Sequence, residues 1–131
     1  MDSGLSKIEK NELKRIVAQD ELGSVLQPLI KEIHLFDSFV AGTTHLDSPE
    51  VLDTLQEGEM LFLEREQNKF DSNAIRIMTE KRVKIGYVPE KDNIIFARLM
   101  DAGKMLRARI RSIEKRHDFS KISIGIYLVD V

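Results

Sequence analysis

From residue 59 onward, apolar and polar positions alternate. Glu59 to Glu66 sets Leu61 and Leu63 on one side and Glu64 and Glu66 on the other. Leu106, Ala108 and Ile110 alternate with Arg107, Arg109 and Arg111, and Ile122, Ile124, Ile126 and Leu128 recur at every second position. Successive strand side chains point to opposite faces, so each run predicts a half-buried strand. Ala74–Thr79 and Val83–Val88 predict two more, joined as a hairpin by Glu80-Lys81-Arg82 and ended by Pro89. Leu35 to Thr44 predicts a further strand running into a turn, which makes six.

Helical spacing appears elsewhere. Leu5, Ile8, Leu13, Ile16 and Val17 form a loose stripe over 5–19. Val25, Leu26, Leu29, Ile30 and Ile33 suggest a second helix over about 22–33, with a start nearer Pro28 because an interior proline removes a hydrogen bond. Ser48-Pro49-Glu50 has the features of a helix start: a capping hydroxyl, a first-turn proline and a carboxylate at the positive end of the dipole. Gly58 stops that segment. Glu90 to Ala102 predicts a helix stopped by Gly103. The economical architecture is mainly β (α+β): a small, mostly antiparallel six-stranded barrel, with a helix between strands four and five and an N-terminal helical extension. Residues 1–33 are assigned to the extension and 34–131 to the barrel domain.

Composition narrows the chemistry. The 131 residues suit one domain. With no cysteine there are no disulfides, iron–sulfur clusters, thiol catalysis or Cys-based zinc sites. No apolar run is long enough to span a bilayer, and MDSGLSKIEKNELKR lacks a signal core, so the expected location is cytoplasmic. The net charge of −2 conceals a division: residues 1–36 sum to −1, residues 37–66 to −7 and residues 67–131 to +6. Such segregation can give one anionic and one cationic face, or a solvated surface whose charges pair across strands.

Catalytic motifs are absent. His34, His45 and His117 lie far apart without metal-ligand spacing, and neither a P-loop nor a G-x-S-x-G elbow occurs. No enzyme activity, metal or cofactor is expected. The notable stretch is Arg65-Glu66-Gln67-Asn68-Lys69-Phe70-Asp71-Ser72-Asn73-Ala74-Ile75 between two predicted strands. Asn68, Asp71 and Asn73 are turn formers whose side chains bond nearby backbone. Phe70 in this polar connector either packs back on the core or stacks on a ligand.

These residues carry a resemblance. Val40-Ala41-Gly42, then Gly58-Glu59 with Leu61 to Glu66, then Asn68-Lys69-Phe70-Asp71-Ser72-Asn73-Ala74-Ile75, then Ile85-Gly86-Tyr87-Val88-Pro89 resemble the HIRAN domain signature in the right order over about residues 35–115. The resemblance implies a barrel like an OB-fold, here as a stand-alone bacterial member. HIRAN domains of eukaryotic fork-remodelling ATPases grip the 3′-hydroxyl end of single-stranded DNA through aromatic stacking and a motif aspartate.

By that resemblance, Phe70 takes the stacking position and Asp71 the hydroxyl-binding one, with Tyr87, Lys69, Arg65 and Lys91 around the mouth. The chain departs from the family at two places. Thr43, Thr44 and His45 stand where DNA-binding members have a basic residue and tyrosines, which leaves Thr44 and His45 as the contacts there. Tyr87, Pro89 and Glu90 replace a histidine and lysines. Arg107, Arg109 and Arg111 are candidate phosphate contacts if they flank the mouth. The expected partner is nucleic acid, most simply a single-stranded DNA end, and no membrane. The alternative is a protein-interaction or self-association module in which Asp71 and Asn73 shape the loop, Phe70 plugs the barrel and residues 1–33 carry a homo-oligomer contact.

Overall fold

The structure is a computed structural model, and it describes residues 31–130. Six strands form one antiparallel sheet: β1 (Lys31–Phe39), β2 (Met60–Arg65), β3 (Ile75–Met78), β4 (Lys84–Tyr87), β5 (Leu106–Lys115) and β6 (Ser120–Asp130). Helix α1 (Glu90–Asp101) connects β4 to β5, and two 3₁₀ segments, Thr43–His45 and Pro49–Thr54, lie between β1 and β2. The strand order is β1-β6-β5-β2-β3-β4. Residues Glu32–Val129 form one compact unit.

The alternating runs point as expected. Leu61 and Leu63 of β2, Ile75 and Ile77 of β3, Ala108 and Ile110 of β5, and Ile122, Ile124 and Ile126 of β6 are buried together. Phe96 and Ala97 of α1 join the same core. Burying a side chain of this size contributes about 1.5–3 kcal/mol, so this shared face is the main stabilising feature of the sheet. Partners across the ladders include Leu63 with Ile77 and Leu61 with Ala108. The outward set, Phe62, Glu64, Arg76, Arg107 and Arg109, lies on the other face by the same registers.

Several boundaries differ from local pattern. Residues 31–33, at the end of the second expected helix, are the start of β1, and β1 ends at Phe39 rather than Thr44. Pairing with β6 decides this, because Ile33 fits a strand as readily as a helix. The expected helices over 5–19 and most of 22–33 fall outside the described residues. The segment after Ser48 forms only 3₁₀ turns, and the Ser48 side chain caps nothing; its carbonyl accepts the Val51 N–H instead (3.2 Å). Burial of Val51 and Leu55 fixes this segment against the sheet, and tertiary packing overrides the local start signal. Strand β5 runs four residues past Arg111, through a bulge between Ile110 and Ser112.

The sheet is not closed. Strands β1 and β4 are its edges, and no ladder joins them. One reciprocal pair spans the gap beyond β1: Ala41 N–H donates to Tyr87 O and Tyr87 N–H to Ala41 O, both at 2.8 Å. Strand β4 is only four residues long and is followed by Pro89, whose nitrogen has no hydrogen to donate, so the contact cannot propagate into a ladder. Gly86 makes the approach possible. Its φ is 153°, and an added Cβ would run into the Ala41 carbonyl oxygen.

Candidate nucleic-acid interface

The loop between β2 and β3 is held from within. Asn68 Oδ1 accepts the Phe70 N–H (2.8 Å) and Asp71 Oδ1 accepts the Asn73 N–H (2.9 Å), two successive Asx turns. Arg65 clamps the far side. Its Nη1 donates to Ala74 O (2.7 Å), Nη2 to Ser72 O (2.8 Å) and Nε to Asp101 Oδ1 at the end of α1 (2.9 Å). The Arg65 hydrogen bond holds the Asp101 carboxyl below its ordinary pKa. Arg65 is therefore a structural brace. Asp71 Oδ2 accepts from Asn93 Nδ2 (2.8 Å), a side chain only 2% exposed on α1. Both Asp71 oxygens thus have a partner, although a carboxylate oxygen has two lone pairs and can accept again.

Phe70 contrasts with its neighbours: it is 85% exposed and plugs nothing. Lys69 Nζ lies 5.2 Å from its ring centroid. Beside the loop is a depression of about 280 Å³ lined by Gly42, Asn68, Asp71, Tyr87 and Glu90, among others. Tyr87 is fixed there by its hydroxyl, which donates to Glu66 (2.8 Å to Oε2) and accepts from Lys84 Nζ (3.3 Å). The only charged residues lining it are two carboxylates, Asp71 and Glu90, so it favours hydroxyl donors over phosphate.

The fold brings Asp71 and Tyr87 to one groove, with Phe70 and Lys69 on the bordering loop. Thr44 belongs to a second depression of about 400 Å³, shared with Leu52, Arg116 and Phe119 at the β5–β6 turn. His45 is exposed at the end of its 3₁₀ turn. Lys91 is exposed on α1, its Nζ 5.7 Å from the Phe39 ring. The β5 arginines meet carboxylates of β1. Arg109 bonds Glu32 (Nη2 to Oε1, 2.6 Å), Arg107 lies 4.0 Å from Glu32, and Arg111 lies 3.5 Å from Asp37. The hydrogen bonds that Arg109 donates to Glu32 raise the Arg109 pKa.

Three participants escape motif reading. Asn93 signals itself only as a polar residue on the buried face of α1. Glu66 follows the end of β2 as many glutamates follow strands, and Phe119 is an aromatic in a polar turn, 48% exposed. Among the described residues no cluster of His, Asp and Glu could hold a metal, and no helix is long and apolar enough to cross a membrane.

A family model described as the HIRAN domain matches residues 33–129. The chain belongs to the HIRAN family. HIRAN domains are DNA-binding modules and are generally non-catalytic. A crystal structure of a protein from Lactobacillus plantarum superposes with a TM-score of 0.72 at 26% identity, covering 78% of this chain and 99% of that one. The crystal structure of the HIRAN domain of human HLTF superposes with a TM-score of 0.61 at 16% identity, covering 76% of this chain and 78% of that one, a likeness of fold. No curated protein matches the chain.

Proposed function

We propose that this HIRAN domain is a non-catalytic, cytoplasmic module that binds single-stranded nucleic acid, with a 3′-hydroxyl end of DNA as its preferred ligand. The supporting observation is Phe70, 85% exposed on a loop whose backbone is fixed by two Asx turns. An aromatic held in water by a rigid polar loop is ready to stack on a base, an interaction worth about 1–3 kcal/mol and tolerant of sequence. Asp71 accepts the terminal hydroxyl, and Tyr87 forms the wall of the groove. Glu66 and Glu90 add negative charge that disfavours a terminal phosphate. Lys69 and Lys91 supply weak basic support, while Thr44, His45 and Phe119 receive the strand beyond the groove.

Fluorescence anisotropy with oligonucleotides ending in 3′-hydroxyl or 3′-phosphate tests this reading. The hydroxyl form is expected to bind more tightly, and Asp71→Ala to remove the preference. Equal affinities would leave an internal-strand binder. A second reading, self-association, is favoured by Ile33, Leu35 and Phe36 of β1, which are between 37% and 46% exposed. In this reading residues 1–33 belong to the contact as an extension of the 34–131 domain. Light scattering on the full chain separates the two, since a concentration-dependent dimer is expected only from the second.

A further inference from the structure

The basic residues of the last two thirds are not equivalent. Among the described residues, Arg65, Arg76, Arg107, Arg109 and Arg111 all have a carboxylate within ion-pair distance. Arg82 and Lys84, on the β3–β4 hairpin, are in no ion pair with another described residue. Each lies on an aromatic ring instead: the Arg82 guanidinium carbon is 4.3 Å from the Phe62 centroid, and Lys84 Nζ is 5.0 Å from the Tyr87 centroid. A ring face orients a cation without neutralising it, so both keep donors for an anion.

Arg82 has φ 66°, the only non-glycine residue with positive φ among those described. The turn is tight: Thr79 N–H donates to Val83 O and Arg82 N–H to Thr79 O, both at 2.9 Å. Glycine is the favoured occupant of such a left-handed hairpin position, and an arginine there is mildly strained. An arginine at this position sets a guanidinium over Phe62. Tyr87 meanwhile carries Lys84 and lines the signature groove, so hairpin and groove are continuous. The acids on this face, Glu64 and Glu66, are both engaged by Arg76, and Glu80 sits in the turn itself.

We propose that the β3–β4 hairpin is a second contact surface for the bound strand, in which Arg82 and Lys84 hold two backbone phosphates of single-stranded nucleic acid leaving the groove. This rests on the nucleic-acid reading above. It supplies phosphate contacts beside a groove whose only charged lining residues, Asp71 and Glu90, are acidic.

The test is the salt dependence of anisotropy with a poly-dT strand long enough to leave the groove. Each lost single-strand phosphate contact makes the slope of log K against log salt shallower by about 0.7. The variants Arg82→Gly and Lys84→Gln are each expected to show that change, and the double variant about twice it. Arg82→Gly relieves the backbone, so its thermal midpoint should not fall, which separates lost contact from lost fold. Unchanged slopes, with Phe70→Ala still weakening binding, would overturn the hairpin contact and leave the groove reading standing. No binding by the wild-type protein at low salt would overturn both.

Discussion

The β2–β3 loop holds its polar groups inward and leaves its aromatic in water. Strand β5 turns three arginines outward and meets a carboxylate of β1 at each of them. The loop has only one large apolar side chain, Phe70, and it is the most exposed in the described protein. The strand has the densest positive charge, yet Glu32 alone touches two of its arginines. Exposure and charge are therefore poor guides to availability. A cation or an aromatic ring is available to a ligand only if no group within reach across the fold already satisfies it, whereas a carboxylate such as Asp71 can accept again through its remaining lone pairs. By that criterion Phe70 and the hairpin cations are available, and the β5 row is largely engaged.

The strongest way to break this contrast is to dismantle the groove beside the loop. Gly86→Ala would force a Cβ against the Ala41 carbonyl at an unfavourable φ, with an expected loss of about 3 kcal/mol or more in chemical denaturation. Oligonucleotide binding should fall with it even where the protein remains folded. A variant with wild-type stability would show that the Ala41–Tyr87 pair is not held as described.

Phe70→Ala isolates the loop. Stacking of about 1–3 kcal/mol corresponds to a five- to 150-fold weakening of strand binding. The thermal midpoint should stay unchanged, because the ring has almost no internal contact to lose. A large drop in stability would instead mean that the ring packs on the protein. Arg109→Gln is the matching change on β5. Loss of its bidentate pair with Glu32 should lower stability by no more than about 1 kcal/mol and leave strand affinity alone. Weakened binding as large as that of Phe70→Ala would erase the distinction between the two regions.

The smallest effect is at the loop's brace. Arg65 lowers the pKa of Asp101 in the folded state, so the pair stabilises fully above the ordinary carboxylate value near ~3.9 and loses that contribution as pH falls through the folded value. Asp101→Asn should lower the thermal midpoint slightly near neutrality, where the pair contributes in full, and converge with wild type below about pH 4, where the wild-type protein has lost that contribution as well. Circular dichroism melts across that range would measure it.

Much of the sheet was legible because two-residue periodicity is a local property. Leu61 and Leu63, or Ile122 to Ile126, need only a pleated backbone to share one face. The bounds of α1 were legible for a similar reason, since Pro89 ends the preceding strand and Gly103 stops the helix by backbone chemistry of their own. The start of β1 was not, because Ile33 and its neighbours satisfy either period and β6 makes the choice. Gly42, Asp71 and Tyr87 could be grouped by motif, but their convergence on one groove depends on a single bridge between residues 41 and 87.

What the chain determined by itself was the alternation that builds the core, the turn chemistry of Asn68, Asp71 and Asn73, and membership of the HIRAN family. All of these follow from residues close together in the sequence. Tertiary structure alone decided which charges remain available. The Arg109–Glu32 pair joins residues 77 positions apart, and Asn93 reaches Asp71 across 22. It also left the sheet open, because closure needs a run of paired backbone groups that the four residues of β4 cannot supply. An ion pair or a ladder depends on distances in space, and no local pattern of residues encodes those.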